Sequence, residues 1–142
     1  MKVLKFGGSS VGSKESILNL KGIVESQSDD VIVVVSALGG ITDRLINTAK
    51  LAAKGDKQYE EELSLMLKRH EQMIRDVIEV KRRRRANKHV RQLFDELSDI
   101  MHGLFLLHDL SEKTLDTIMS YGERLSTQIA LLNHDIFHTK IL

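Results

Sequence analysis

Val31-Ile32-Val33-Val34-Val35 leaves this chain few folding options. Every residue in the run is apolar and β-branched, a pattern that suits a strand buried on both faces, as in a parallel sheet. Ser36-Ala37-Leu38-Gly39-Gly40 follows as a glycine-bearing turn, and Thr42 or Asp43 can then cap a helix that runs to about Lys54. The same order occurs once before. Val3-Leu4-Lys5-Phe6 is a short strand ended by Gly7-Gly8, and Ser13 can cap a helix from Lys14 whose apolar set is Ile17, Leu18, Leu20, Ile23 and Val24. Asp29-Asp30 closes that helix before the valine run. Strand, glycine turn, helix, strand, glycine turn, helix is a βαβα unit over residues 1–56 or so, and it predicts an α/β fold with a parallel-rich sheet flanked by helices and right-handed crossovers. Ligands of such folds gather at the carboxyl ends of the strands, where both glycine turns lie.

Residues 57–133 read differently. Leu63, Met66, Leu67, His70, Met73, Ile74, Val77 and Ile78 keep helical spacing, as do Leu93, Leu97, Ile100, Met101, Leu104 and Leu107. Ser111 can cap a further helix with Leu115, Ile118, Gly122, Leu125, Ile129 and Leu132 on one stripe, and residues 138–142 begin another strand. The chain has no proline to interrupt these helices, and aromatic residues are only 4%, so the core rests on Leu, Ile, Val and Met. Without cysteine there is no disulfide, thiolate metal site or thiol nucleophile. A net charge of +1 provides no global field for nucleic acid or anionic lipid. No secretory signal or membrane-length apolar run appears, and the expectation is a soluble cytoplasmic protein. Lys81 to Arg85, with Lys88 and Arg91, reads as a solvated helix junction, since nucleic-acid binding would want interleaved aromatics. His134 and His138 lack the glutamate and third ligand of a zinc site, and His70 and His102 read as residues at the edge of the core.

Three places can carry chemistry. At Lys5-Phe6-Gly7-Gly8-Ser9-Ser10-Val11-Gly12, glycines after a strand let backbone N–H groups approach an anion, the next helix adds its positive end, and Lys5 can neutralise a phosphoryl group. A tight turn beside a surface lysine explains the same residues. Gly7 to Lys14 approximates a phosphate loop of Walker type, but the Ser and Lys are exchanged, which places Lys14 in the helix. At the second turn, Ser36, Thr42 and Asp43 can hold a small polar substrate, or Thr42 and Asp43 can simply cap the helix. In Tyr121-Gly122-Glu123-Arg124-Leu125-Ser126, a glycine on the buried stripe of a helix costs about 1 kcal/mol against alanine, so it must permit a close approach or serve a ligand. Glu123 borders that stripe and either points inward, toward a substrate ammonium, or faces water.

Taken in order, KFGGSSVG at Lys5 to Gly12, VVVSALGGITD at Val33 to Asp43 and SYGERLS at Ser120 to Ser126 resemble the aspartate kinases of the amino-acid kinase superfamily. His102 to Asp116 resembles the kinase part of bifunctional aspartokinase–homoserine dehydrogenases. The resemblance implies the N-terminal half of an amino-acid kinase-like fold, with a large helical segment. It implies transfer of the ATP γ-phosphoryl group to the side-chain carboxylate of L-aspartate, giving 4-phospho-L-aspartate, the first step of aspartate-family amino-acid biosynthesis. By the same resemblance Lys5, Gly7, Gly8 and Ser9 bind ATP phosphate, with Lys5 catalytic and Ser9 standing where threonine is usual. Ser36, Thr42 and Glu123 bind aspartate, Glu123 at the amino group. ATP and Mg²⁺ are implied, NADP only with a dehydrogenase domain, and a homo-oligomer for the full-length protein. In the family, the nucleotide-binding half and a second lysine follow the region matched here, so residues 1–142 alone are expected to be inactive. Another amino-acid kinase, or a non-catalytic helical interaction module, is the alternative.

Overall fold

The computed structural model describes residues 1–133 in full and the backbone of Thr139–Ile141. The chain runs β1 (Lys2–Phe6), a 3₁₀ turn (Gly8–Val11), α1 (Lys14–Glu25), β2 (Val31–Val35) and α2 (Ile41–Ala53). Three long helices follow, α3 (Gln58–Val77), α4 (Val80–Leu107) and α5 (Glu112–Asn133), and then β3 (Thr139–Ile141). The strands form a parallel sheet in the order β1-β2-β3, with Leu4 opposite Val33 and Phe6 opposite Val35. The α/β class, the βαβα opening and the helical middle therefore match the sequence pattern. His138, the first residue of the expected last strand, and its neighbour His134 lie outside the described residues.

Local chemistry explains the boundaries. Ser13 caps α1 through a reciprocal pair with Ser16, and Lys14 is the first residue of that helix, as its displaced position in the Walker-like string requires. α3 ends where Ile78 turns extended (φ −102°, ψ 134°), and α4 ends at His108 in the left-handed region (φ 54°). Ser111 caps α5 by accepting from the Thr114 N–H.

Packing corrects two expectations. β2 is buried on one face only: Val31, Val33 and Val35 are enclosed, while Ile32 and Val34 are half-buried. Their register partners on β1, Val3 and Lys5, are exposed, Val3 at 64%, and no described element covers that side. His70 is not at the edge of the core but inside it, fully buried, because its Nδ1 pairs with the Met66 carbonyl at 2.7 Å and its ring meets Phe94 edge-on. Burial pushes its pKa down to about 4, so the ring is neutral. His102 stays exposed, 3.4 Å from the Tyr59 hydroxyl and stacked on Phe105.

Candidate functional site

The first turn begins at the carboxyl end of β1. Gly7 is extended (φ −73°, ψ 178°), and the Ser10 N–H returns to its carbonyl at 2.9 Å to start the 3₁₀ turn. Buried Val11 anchors that turn from below. A Cβ on Gly7 would meet nothing within 4 Å. Neither its dihedrals nor its packing within this chain requires glycine. Lys5 is exposed on the uncovered face of the sheet, and Ser9 is exposed within the turn.

The second turn is tied to the first by its backbone. The Ser36 N–H donates to the Phe6 carbonyl at 3.0 Å. A Cβ on Gly39 would lie 3.6 Å from the Gly12 Cα and 3.7 Å from the Gly8 carbonyl oxygen. Gly40 adopts φ 78°, a conformation that disfavours any residue with a Cβ, and this starts α2 at Ile41. The capping role open to Thr42 or Asp43 is therefore overturned: both lie inside the first turn of α2, and no side chain caps it. Thr42 keeps its hydroxyl free of that duty, and Asp43 adds a negative charge where the helix dipole favours one.

The third segment packs directly onto the second. A Cβ on Gly122 would fall 2.8 Å from the Ala37 Cβ and 3.8 Å from the Thr42 Oγ1, closer to Ala37 than carbon atoms pack. Glycine on the buried stripe of α5 is explained by this approach. The buried Ser126 hydroxyl, 2.6 Å from the Ser36 carbonyl oxygen, donates to it and locks the helix to the turn. Glu123 follows Gly122 but is exposed, and it forms no ion pair with a described residue. One helical step away, Tyr121 donates to Glu96 at 2.8 Å and lies under the Arg124 guanidinium, 4.4 Å from its ring centre.

Gly8, Ser36, Thr42 and the backbone before Glu123 thus form one continuous junction. Lys5, on β1, and Glu123, on α5, are both exposed, and no hydrogen bond or ion pair joins them. Two residues went unassigned in the sequence. Ser126 had a signal, its place in the SYGERLS string. Arg69 of α3 had none: its Nη2 lies 4.0 Å from the Cβ position of Gly39, a proximity visible only once α3 is packed. The basic cluster opens α4, where Lys81 and Arg82 pair with Glu79, Arg83 donates to the Ile78 carbonyl and Arg91 pairs with Glu71. Among the described residues, no cluster of three metal-ligating side chains occurs, and no helix is long and apolar enough to cross a membrane.

Two parallel βα units whose glycine turns pack against each other, with a helical glycine laid on the second turn, define a class of α/β protein. The chain belongs to the Amino acid kinase family, whose pattern matches residues 1–133. Its relatives there include aspartokinases. It is 31% identical over 134 residues to the bifunctional aspartokinase/homoserine dehydrogenase of Buchnera aphidicola, covering 91% of this chain and 16% of that protein. It is 32% identical over 131 residues to the aspartokinase of Candida albicans, covering 87% and 24%. The fold superposes on Escherichia coli aspartokinase III, solved with lysine and aspartate, with a TM-score of 0.80 at 23% identity, over 94% of this chain and 28% of that one. The chain thus spans less than a third of each of these proteins.

Proposed function

We propose that this chain forms the aspartate-binding part and one wall of the phosphate site of an aspartate kinase. The observation that carries this reading is the contact of Gly122 with Ala37 and Thr42, next to the Gly8–Gly39 approach, because it brings three separated motifs to one place. In our assignment the bare backbone of Gly7 and Gly8, the Ser9 hydroxyl and the Lys5 ammonium receive the phosphates of ATP. Ser36, Thr42 and Glu123 hold L-aspartate, Glu123 taking the ammonium group. The acceptor is a carboxylate and already a nucleophile, so the residues need only align it with the γ-phosphorus and offset the charge that develops. Mg²⁺ bound with the nucleotide would add neutralisation of the phosphate oxygens. Lys5, exposed in this chain, does the same from the protein side.

The test compares full-length protein with its Lys5→Ala and Glu123→Gln variants by coupled ADP release. Lys5→Ala should lower kcat by orders of magnitude, and Glu123→Gln should raise the KM for aspartate with less effect on that for ATP. Residues 1–142 alone should release no ADP. Unchanged kinetics in both variants, or turnover by the isolated segment, would contradict the assignment.

A further inference from the structure

Arg69 leaves α3 beside the meeting point of the two glycine turns, where the position of a Cβ on Gly39 is 4.0 Å from its Nη2, 3.6 Å from the Gly12 Cα and 3.7 Å from the Gly8 carbonyl oxygen. The residue is half-buried, and its guanidinium forms no hydrogen bond or ion pair with a described residue. The charge that acts on it is another cation, Arg44, which has its own carboxylate, Glu62, at 2.9 Å. Burial first, and Arg44 second, hold the Arg69 guanidinium below the usual arginine range. A planar fork of five donors, partly out of water and next to a like charge, destabilises the chain on its own. Its origin is nonetheless fixed. His70, the next residue, is fully buried against Phe94 and hydrogen-bonded to the Met66 carbonyl, which sets the roll of α3 and the side from which Arg69 departs.

We propose that Arg69 is a binding residue for an oxyanion, carboxylate or phosphate, seated where the Gly8 and Gly39 turns meet. The guanidinium fork matches either group with two parallel hydrogen bonds, which a lysine cannot reproduce. Glycine at position 39 keeps the approach clear, since a side chain there would occupy the space between the guanidinium and the first turn. The bound anion supplies the acceptor that the fold withholds. This rests on the proposed kinase site, in which the two turns serve one pair of substrates, and it adds to that site a cation from the helical segment.

The experiment titrates full-length wild-type protein and its Arg69→Met, Arg69→Lys and Glu123→Gln variants with L-aspartate, with Mg–ADP and with inorganic phosphate by calorimetry. Melting curves without ligand are recorded for each. Arg69→Met should weaken binding of one ligand class by roughly tenfold to a hundredfold, the scale of a lost charge-assisted hydrogen bond. Arg69→Lys should recover only part of the loss. The unliganded Arg69→Met protein should melt no lower than wild type, because no internal partner is removed; a purely structural arginine would lower it. Loss confined to aspartate identifies a carboxylate as the anion, and loss confined to Mg–ADP and phosphate identifies a phosphate. If Arg69→Met does not fold, Arg69→Lys alone decides by the same titrations. Wild-type affinity for all three ligands in the Arg69 variants, with Glu123→Gln impaired for aspartate, overturns the role of Arg69 and leaves the kinase site standing. Absence of aspartate and nucleotide binding in wild type removes both.

Discussion

Replacing Gly122 with alanine sets two known effects against each other. In an unobstructed helix interior, Gly→Ala stabilises by about 1 kcal/mol through backbone entropy. Here the new methyl would stand 2.8 Å from the Ala37 Cβ and 3.6 Å from a Leu45 methyl. Ala37 cannot swing aside, because its Cβ is fixed to backbone whose neighbour Ser36 is bonded to both Phe6 and Ser126. Inserting a methyl into such packing costs about 1–3 kcal/mol. The net expectation is a loss of roughly 0–2 kcal/mol, and for a chain of this size each kcal/mol lowers the melting temperature by roughly 4 °C. The decisive quantity is the coupling to Ala37→Gly, which deletes the opposing methyl. In a double-mutant cycle followed by urea unfolding, the two changes together should be less harmful than their sum by about 0.5–3 kcal/mol. A Gly122→Ala protein that gains about 1 kcal/mol, or a coupling of zero, would refute the close approach of α5 to the second turn.

Two more outcomes follow from the same geometry. Ser126→Ala should destabilise by about 0.5–1.5 kcal/mol, measured by chemical unfolding, because the half-buried Ser36 carbonyl loses its 2.6 Å donor. His70 has a folded pKa near 4, below its unfolded value near 6.5, so the unfolded chain binds more protons between those limits. Its contribution is therefore complete above about pH 6.5 and is lost as pH falls toward 4, on the order of 3 kcal/mol in all. His70→Gln should flatten that part of a stability–pH curve measured by urea titration.

The local parts of this fold were legible because they are written in adjacent residues. Gly7-Gly8, Ser13, Gly39-Gly40 and Ser111 each act within a few positions, and the helical stripes from Leu63 to Leu132 repeat often enough to identify their buried faces. Gly122 announced itself by standing where a larger residue belonged. What escaped depends on packing between distant segments. Thr42 looked like a cap because Ser/Thr/Asp before a helix usually is one, but the left-handed Gly40 starts the helix earlier. His70 looked like a core-edge residue because its buried partner is a main-chain carbonyl, which no residue type reveals. Val31–Val35 is uniformly apolar, yet periodicity cannot tell which element covers its second face. Arg69 carries no motif at all; its place beside Gly39 emerges only when α3 is laid against the turn.

The half-covered sheet also governs how the chain behaves in solution. β1 is the outer strand, so one row of its amide and carbonyl groups faces no neighbouring strand among the described residues, and Val3, Ile32 and Val34 line the open side. Such an edge invites the same strand from a second molecule, and lysine side chains are the usual deterrent. Lys5 is exposed and puts positive charge on this strand, while Lys2 is paired with Asp29 at 3.7 Å. Repulsion between Lys5 side chains would oppose self-association at this rim, and dissolved salt would weaken it.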